Sequence, residues 1–294
     1  MELGNLAALM VRSSGRPEVR IGLIDGPVAT QHSDLAVANV REISGSNGAT
    51  CSQVGSAACL HGTFVAGILF GKRSSPAPAI CPACTFLIRP IFSEHITGSE
   101  RMPTAKPEEL AAAINDCIDA GANLINLSLA LERPSTTGEQ ALEEALNRAA
   151  RRSVIIVAAA GNQGTLGSTS ITRHPWVIPV VACDLRGRPL KESNLGTSIG
   201  RRGLCAPGDS ITSLNSDGPP LALGGTSVAA PIVSGAVGLL LSEFSAATAA
   251  QIRLAICGSV SRRRASVVPP LLDAEAAYQS LLSTLNPSVR RRVA

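Results

Sequence analysis

Aromatic residues are scarce in this chain of 294 residues, which has one Trp, one Tyr and five Phe, together 2% of the sequence. Hydrophobic residues still make up 45%, so small and branched aliphatic side chains must fill the core. Such side chains suit helices that pack closely on a sheet. The length allows one large α/β domain or two smaller ones. Because we find no internal repeat and no long linker, we predict a single domain.

A strong charge of either sign is also absent. The 26 Lys and Arg residues against 22 Asp and Glu residues give a net charge of +4, scattered along the chain. This balance does not indicate nucleic acid as a partner. Two basic runs, at residues 262–264 and 290–292, are interpreted as a solvated loop and as part of a basic C-terminal tail over residues 286–294.

Targeting and membrane-spanning segments are missing as well. Residues 1–20 lack a cationic start followed by a sustained apolar stretch, so no secretion signal is predicted. No run approaches the roughly 20 apolar residues that a membrane span needs. We therefore expect no membrane partner and, for a complete chain, a cytoplasmic location.

The eight cysteines leave several interpretations open. Cys81 and Cys84 have the spacing of a redox pair or of half a zinc site, while structural thiols or loop disulfides are the preferred alternative. Cys51 and Cys59 are too widely spaced to complete a standard zinc site. The other four lie in apolar runs, which predicts that they are buried as small hydrophobic residues: Cys117, Cys183, Cys205 and Cys257.

Short apolar runs alternate with helical patterns, which is typical of a parallel sheet flanked by helices. We predict strands at residues 19–25, 86–92, 123–129, 154–159 and 177–183, and helices at 62–70, 107–120, 138–151, 226–242, 247–257 and 273–285. The strands are almost continuously apolar, as expected when both faces of a sheet are covered. The predicted fold is therefore a doubly wound α/β domain, with a mostly parallel sheet and helices on both faces, over residues 19–285. Residues 1–18 form an N-terminal extension.

Three polar residues lie where a ligand crevice is expected. Residues 44–60, 93–106 and 164–175 are polar loops, and in an open parallel sheet the loops at the carboxyl ends of the strands form the crevice. Asp25 ends a predicted strand, and His61 and Ser227 each stand at the start of a predicted helix.

These residue types suit nucleophilic catalysis. A serine hydroxyl needs an imidazole to take its proton, and the imidazole needs a carboxylate to orient it. The order Asp, His, Ser is one of those in which unrelated folds carry this triad. Asn162, on a turn after a strand, is a candidate oxyanion donor together with the backbone N–H of Ser227.

Each residue alone also has an ordinary structural interpretation. Asp25 and Asn162 suit turns, and His61 and Ser227 suit helix caps. Their joint arrangement favours chemistry, because caps do not need to follow the order of a triad. Of the remaining histidines, His32 and His174 are predicted to have local loop roles. His95 is preferred as a solvated loop residue, with a place in the substrate cleft as the alternative.

The motifs resemble those of the subtilisin-like serine proteases (peptidase S8) from about residue 19 to residue 258. They are IDG at 24–26, HSDL at 32–35, HGT at 61–63, NLSL at 126–129, AGN at 160–162, APG at 206–208 and GTSVAAP at 225–231. The resemblance implies the triad Asp25, His61 and Ser227 with Asn162 as oxyanion donor. It also implies that an extended substrate pairs with an edge strand. The implied substrate-binding residues are Ser128, Leu129, Ala130, Gly98, Ala160, Gly161 and Thr226.

A narrower resemblance concerns the segment around residues 70–94, which is similar to proteases that trim cyanobactin-type precursor peptides. Related macrocyclases carry an inserted helical element. Only 67 positions separate His61 from Ser128, and a loop, a strand and one helix already fill them. The sequence therefore favours hydrolysis over cyclisation.

The chain departs from the family pattern at several positions. Ala130 stands where Gly is frequent, and Phe64 replaces a second His. The roughly 20 residues before Asp25 are too few to fold as an inhibitory prodomain. Residues 44–60 contain no Asp or Glu, so no calcium loop and no other metal or cofactor is indicated.

The sequence thus predicts a serine endopeptidase that acts on a peptide or protein substrate through an acyl-enzyme. One alternative is a peptide-binding protein that keeps the fold without turnover. The other is a transpeptidase, in which an amine captures the same acyl-enzyme.

Overall fold

The computed structural model describes residues 5–35, 39–43, 45, 51–94, 106–129, 139–258 and 266–285. Gly98, His95, Ala130 and the predicted tail lie outside these residues. The helices are α1 (Leu6–Arg12), α2 (Ala57–Phe70), α3 (Pro107–Asp119), α4 (Glu139–Arg151), α5 (Ser170–Arg173), α6 (Thr197–Arg202), α7 (Thr226–Glu243), α8 (Ala249–Ile256) and α9 (Ala274–Leu285). The strands are β1 (Arg20–Asp25), β2 (Asn39–Glu42), β3 (Thr85–Pro90), β4 (Leu124–Leu127), β5 (Ile155–Ala159), β6 (Val177–Cys183), β7 (Leu204–Pro207), β8 (Ile211–Ser213) and β9 (Leu221–Leu223).

Seven strands form one parallel sheet in the order β2-β3-β1-β4-β5-β6-β7, and β8 pairs with β9 antiparallel. Helices α1, α2, α7, α8 and α9 share a buried cluster with one face of the sheet, and α3 and α4 share one with the other face. The predicted fold class is confirmed. A strand between two helical layers has no solvated face, which is why β6 is buried along its whole length.

Helix α2 begins five residues earlier than predicted. The side chain of Ser56 accepts a hydrogen bond from the N–H of Cys59 and so caps a helix that starts at Ala57. His61 therefore lies in the second turn of α2, and its predicted place at the helix start was wrong. The predicted loop 164–175 also contains a short helix, α5.

Helix α7 is the central helix of the core. Among the described residues it is the one helix that is long and apolar enough to cross a membrane, so the expectation that no run approaches such a length was wrong. Its apolar window is 83% buried inside the protein, where it packs on β4 to β7 and on α2. A helix that is apolar all round is expected to be buried in the core of a protein of this size.

The cysteines have three kinds of surroundings. Cys51 and Cys59 form a disulfide that joins the loop before α2 to the first turn of that helix. Cys81 and Cys84 are free and buried, as the structural-thiol alternative predicts. Burial is confirmed for three of the remaining four, Cys117, Cys183 and Cys205, but was wrong for Cys257, which is half-buried.

The sheet order places the expected crevice between β1 and β4. From β1 the chain continues to one side of the sheet, and from β4 it continues to the other, so the loops diverge above this pair of strands. Asp25 is the last residue of β1, and Ser128 follows β4 directly. The polar residues singled out from the sequence therefore meet at one edge.

Candidate active site

Three polar side chains from remote parts of the chain form a hydrogen-bonded series. The Oδ1 atom of Asp25 lies 2.7 Å from Nδ1 of His61, and Nε2 of His61 lies 3.1 Å from Oγ of Ser227. Asp25 is fully buried, His61 is 6% exposed, and Ser227 is half-buried. The hydroxyl thus stands at the accessible end of the series, and the carboxylate at its protected end.

Two glycines bring His61 close to Asp25. A Cβ atom at Gly26 would overlap the carbonyl oxygen of Ala58, and one at Gly62 would overlap the carbonyl oxygen of Gly26. The backbone of α2 therefore touches the turn that follows β1. Only glycine at both positions allows this approach, which sets the distance between the carboxylate and the imidazole.

Ser227 is the second residue of α7, and the chain enters that helix through Gly225 with a φ of 114°. A Cβ atom at Gly225 would lie 2.9 Å from Nδ2 of Asn162. The backbone N–H of Ser227 is one of the first N–H groups of the helix, which have no acceptor within it. These donors and the helix dipole favour negative charge beside the hydroxyl.

The carboxamide of Asn162 is oriented from one side by Thr226. Its Oδ1 atom accepts hydrogen bonds from the backbone N–H and the hydroxyl of Thr226, at 2.9 and 3.0 Å. The hydroxyl of Thr226 in turn accepts from the N–H of Gly161 at 3.1 Å. Because Oδ1 is engaged, Nδ2 is the group of this exposed side chain that remains as a candidate donor.

The predicted substrate-binding residues lie around the same edge, with their side chains inside the protein. Ser128, Leu129 and Ala160 are 2%, 5% and 3% exposed, and Gly161 is buried. Thr226 is fully buried against Asn162, so its hydroxyl does not face an open cleft. Pairing of a substrate with the backbone of this edge stays a prediction, and Gly98 and Ala130 lie outside the described residues.

His61 has a perturbed acidity. Burial lowers the pKa of His61, but the charge of Asp25 and the hydrogen bond from Nδ1 to its carboxylate together outweigh burial and raise the pKa above the ordinary value of 6.5. Oδ1 of Asp25 also accepts the N–H of Gly26 at 2.6 Å, which fixes the carboxylate. The neutral tautomer with hydrogen on Nδ1 leaves Nε2 free to accept the proton of Ser227.

The two other described histidines differ: His32 has the local role predicted, whereas His174 is buried at the end of α5 and contacts α4. Nδ1 of His32 accepts the N–H of Asp34 at 3.1 Å. His174 accepts the N–H of Trp176 at 3.3 Å and lies 3.3 Å from Oδ1 of Asn147, and burial lowers its pKa. Neither is within this polar series.

Two buried polar groups were missed by the sequence analysis. Asn126 on β4 donates to Oγ of Ser128 at 2.8 Å and accepts from Ser234 of α7 at 2.7 Å. Asn194, between β6 and α6, hydrogen-bonds to the turn that carries Asn162. The motif NLSL contains Asn126 and offered a signal for it; Asn194 and Ser234 had none, because their partners are remote in sequence.

One cluster among the described residues has the composition of a metal site: Cys51, Cys59 and Glu94, whose ligand atoms lie within 4.8 Å of one another. The disulfide engages both sulfur atoms. The Glu94 carboxylate accepts the backbone N–H groups of Ser52 and Gln53 at 2.9 to 3.1 Å. The cluster therefore ties the loop before α2 to the segment after β3, and independence from metals stays a prediction.

Serine hydrolases have this arrangement, in which a carboxylate, an imidazole and a hydroxyl are hydrogen-bonded in series on a doubly wound parallel sheet. The model of the subtilase family matches residues 16–275, so the chain belongs to the subtilase family of serine proteases. Subtilisin DY of Bacillus licheniformis is 29% identical over 240 residues, which are 80% of this chain and 81% of that protein. Subtilisin E of Bacillus subtilis is 30% identical over 240 residues, which are 80% of this chain but only 58% of that protein.

Solved structures of maturation proteases have the same fold. A variant of the protease domain of PatA has a TM-score of 0.81 and 31% identity, and the match covers 92% of this chain and 97% of that domain. The prenylagaramide maturation protease PagA has a TM-score of 0.80 and 28% identity, over 94% and 98% of the two chains. The PatG macrocyclase in complex with a peptide has a TM-score of 0.78, and the match covers 94% of this chain and 95% of that chain. Because the two sequences are only 22% identical, this match shows the fold alone. The predicted resemblance to cyanobactin-type maturation proteases is confirmed.

Proposed function

We propose that this chain is a serine endopeptidase that cleaves peptide bonds through an acyl-enzyme. The observation that carries the proposal is the series Asp25–His61–Ser227, with contacts of 2.7 and 3.1 Å. His61 accepts the proton of Ser227 through Nε2 while the hydroxyl oxygen attacks the peptide carbonyl. Asp25 holds the tautomer and stabilises the imidazolium that forms. His61 then protonates the leaving amine, and water releases the acyl group by the same route.

The negative charge that develops on the carbonyl oxygen is met by two donors in this proposal. Nδ2 of Asn162 is one, because Thr226 holds Oδ1 on the opposite side of the carboxamide. The backbone N–H of Ser227, at the start of α7, is the other. Donors that are held in position before the reaction begins give strong electrostatic stabilisation of the developing charge.

An extended peptide is the proposed substrate, added as a strand to the backbone of Ser128 and Leu129. The similarity to PatA and PagA, both maturation proteases, supports trimming of a ribosomal precursor peptide. Hydrolysis is favoured over cyclisation because the stretch between α2 and β4 leaves no room for the inserted helical element that related macrocyclases carry. In the described part of this stretch, the regular elements are β3 and α3.

Covalent labelling tests the proposal directly. A fluorophosphonate probe should label the wild-type chain and not Ser227→Ala, and turnover of a peptide substrate should fall roughly 10⁶-fold in that variant. Ser242→Ala is the matched control, since Ser242 is another serine on α7, 1% exposed and bonded to the carbonyl of Gly238. Equal labelling of wild type and Ser227→Ala, or no hydrolysis of any member of a peptide library, would overturn the proposal.

Aminolysis of the same acyl-enzyme is the second candidate, because the two reactions differ only in the nucleophile of the second step; the PatG macrocyclase shares the fold. An amine would replace water in the second step, and all earlier steps would be unchanged. Mass spectrometry of the products, with and without an added amine nucleophile, separates the two outcomes. Hydrolysed product as the main species at high amine concentration would exclude this candidate.

A further inference from the structure

Asn194 is a buried asparagine whose side chain is saturated with hydrogen bonds to one turn. It lies between β6 and α6 and is 8% exposed. Its Oδ1 atom accepts from the N–H of Gln163 at 3.1 Å and from the N–H and hydroxyl of Thr165, both at 3.0 Å. Its Nδ2 atom donates to the carbonyl of Ala160 at 3.2 Å and to Oε1 of Gln163 at 2.6 Å.

These bonds enclose Asn162 from both directions along the chain. Ala160 precedes it, and Gln163 and Thr165 follow it. The backbone N–H of Asn194 also donates to the carbonyl of Gly161 at 2.9 Å. Gly161 has a φ of 104°, a conformation that glycine adopts readily and other residues avoid, and a Cβ atom there would overlap Nδ2 of Asn194.

We propose that Asn194 is a positioning residue that holds the turn carrying the oxyanion donor. The inference rests on the proposed function, in which Asn162 donates to the developing oxyanion. Thr226 orients the carboxamide of Asn162 from the helix side, and Asn194 fixes the backbone on which that carboxamide stands. A turn of this kind has no regular ladder of its own, so its position depends on such external contacts.

The chemistry of the contacts explains why asparagine is required. One atom must accept three hydrogen bonds and the other must donate two, and an uncharged carboxamide does both. Aspartate has the same shape and keeps the acceptor. Its second oxygen would, however, face the carbonyl of Ala160 and Oε1 of Gln163, which are both acceptors. Asn194→Asp therefore pushes the turn away with almost no change in volume.

Steady-state kinetics of Asn194→Asp test the proposal. We expect kcat to fall roughly 10- to 100-fold with KM within about twofold of wild type, because the loss concerns the transition state. Each variant is labelled to completion with the fluorophosphonate probe, so that kcat is expressed per functional site. The pH midpoint of kcat/KM should stay at the wild-type value, since the Asp25–His61 pair is not touched.

A double-mutant cycle separates positioning from general destabilisation. In the background of Asn162→Ala the oxyanion donor is absent, so the further change Asn194→Asp should lower kcat less than about threefold. An undiminished effect in that background would overturn the proposal, and so would an unchanged kcat in the single variant. If wild type neither reacts with the probe nor hydrolyses peptides, it is the proposed function that fails.

Two further variants keep the test informative if Asn194→Asp does not fold. Thr165→Val removes one bond to Oδ1 of Asn194 and should lower kcat, whereas Thr165→Ser keeps the hydroxyl and should restore it. Ser193→Ala is the matched control in the same loop. Its hydroxyl is 3% exposed and donates to the carbonyl of Ala182 at 3.1 Å, away from the turn, so kcat per labelled site should remain at the wild-type level.

Discussion

Ser234 of α7 donates a 2.7 Å hydrogen bond to Oδ1 of Asn126 on β4, and both side chains are completely buried. The bond joins the helix that carries the proposed nucleophile in its first turn to the strand that leads to the proposed substrate edge. Asn126 continues the connection by donating to Ser128 at 2.8 Å. These polar contacts fix the position of the helix relative to the strand inside an otherwise apolar interface.

Replacement of Ser234 by Ala should destabilise the protein. It leaves Oδ1 of Asn126 without this donor in the core, and an unsatisfied buried group costs about 1–3 kcal/mol. Urea unfolding measures the change, as a lower midpoint with the same slope. The control Ser242→Ala should cost less, because the carbonyl that Ser242 contacts is Gly238 of its own helix, where a backbone partner is available. Equal losses in the two variants would contradict this account.

The rate of hydrolysis should rise with pH, with a midpoint above 6.5. His61 must be neutral to accept a proton, and its pKa is raised because the effect of Asp25 outweighs that of burial. The pH profile of kcat/KM reports this group in the free enzyme. The sign for stability is opposite: protonated His61 contributes stability that is fully present below about 6.5 and is lost as the pH rises through the folded-state pKa.

The variant Asp25→Asn identifies the source of that midpoint. It removes the negative charge and the acceptor that raise the pKa of His61, so the midpoint of residual activity should move to lower pH. Turnover should fall by about 10⁴, because the wrong tautomer of the imidazole is then favoured. An unshifted midpoint would show that another group titrates in the profile.

A methyl group at Gly26 should separate the carboxylate from the imidazole. In Gly26→Ala the new Cβ atom overlaps the backbone of α2 at Ala58, so the helix must shift. A displacement of about 1 Å in a catalytic group lowers turnover by roughly 10², and overpacking of this kind costs about 1–3 kcal/mol. Peptide hydrolysis per folded molecule is the measurement. The control is Gly55→Ala, just before α2, where a Cβ atom has no neighbour within 4 Å; a comparable loss there would contradict the role of close approach.

The sequence predicted the central strands and the polar series well, for different reasons. Strand β6 is apolar throughout because both of its faces are covered, and such runs can be recognised from the sequence alone. Asp25, His61 and Ser227 were found because nucleophilic chemistry demands those residue types, and the family motifs supply their order. Strands β7 and β2 were not predicted, because the buried run of β7 has only four residues and β2 is largely exposed.

Features that depend on contacts between remote segments could not be predicted. The overlap that Gly26 and Gly62 prevent appears only when α2 lies against the end of β1. In the sequence, Asn194 resembles any loop asparagine. Its contacts with the turn of Asn162 arise only in the fold, where the loop after β6 lies beside that turn. The start of α2 was misjudged because its cap, Ser56, lies in a run of small polar residues that looked like a continuous loop.

Loss of the disulfide Cys51–Cys59 should lower stability while the chain remains able to fold. The bond closes a loop of 8 positions, and the entropy removed from the unfolded chain corresponds to about 2–3 kcal/mol. Denaturant unfolding of the wild type with and without a dithiol reductant measures this, and the variant Cys51→Ser/Cys59→Ser should match the reduced wild type. That variant is also the control: because Cys81, Cys84 and the remaining cysteines are free, reductant should not change its stability. A further loss on reduction of the variant would point to another disulfide, and an unchanged wild type would show that this bond does not constrain the chain.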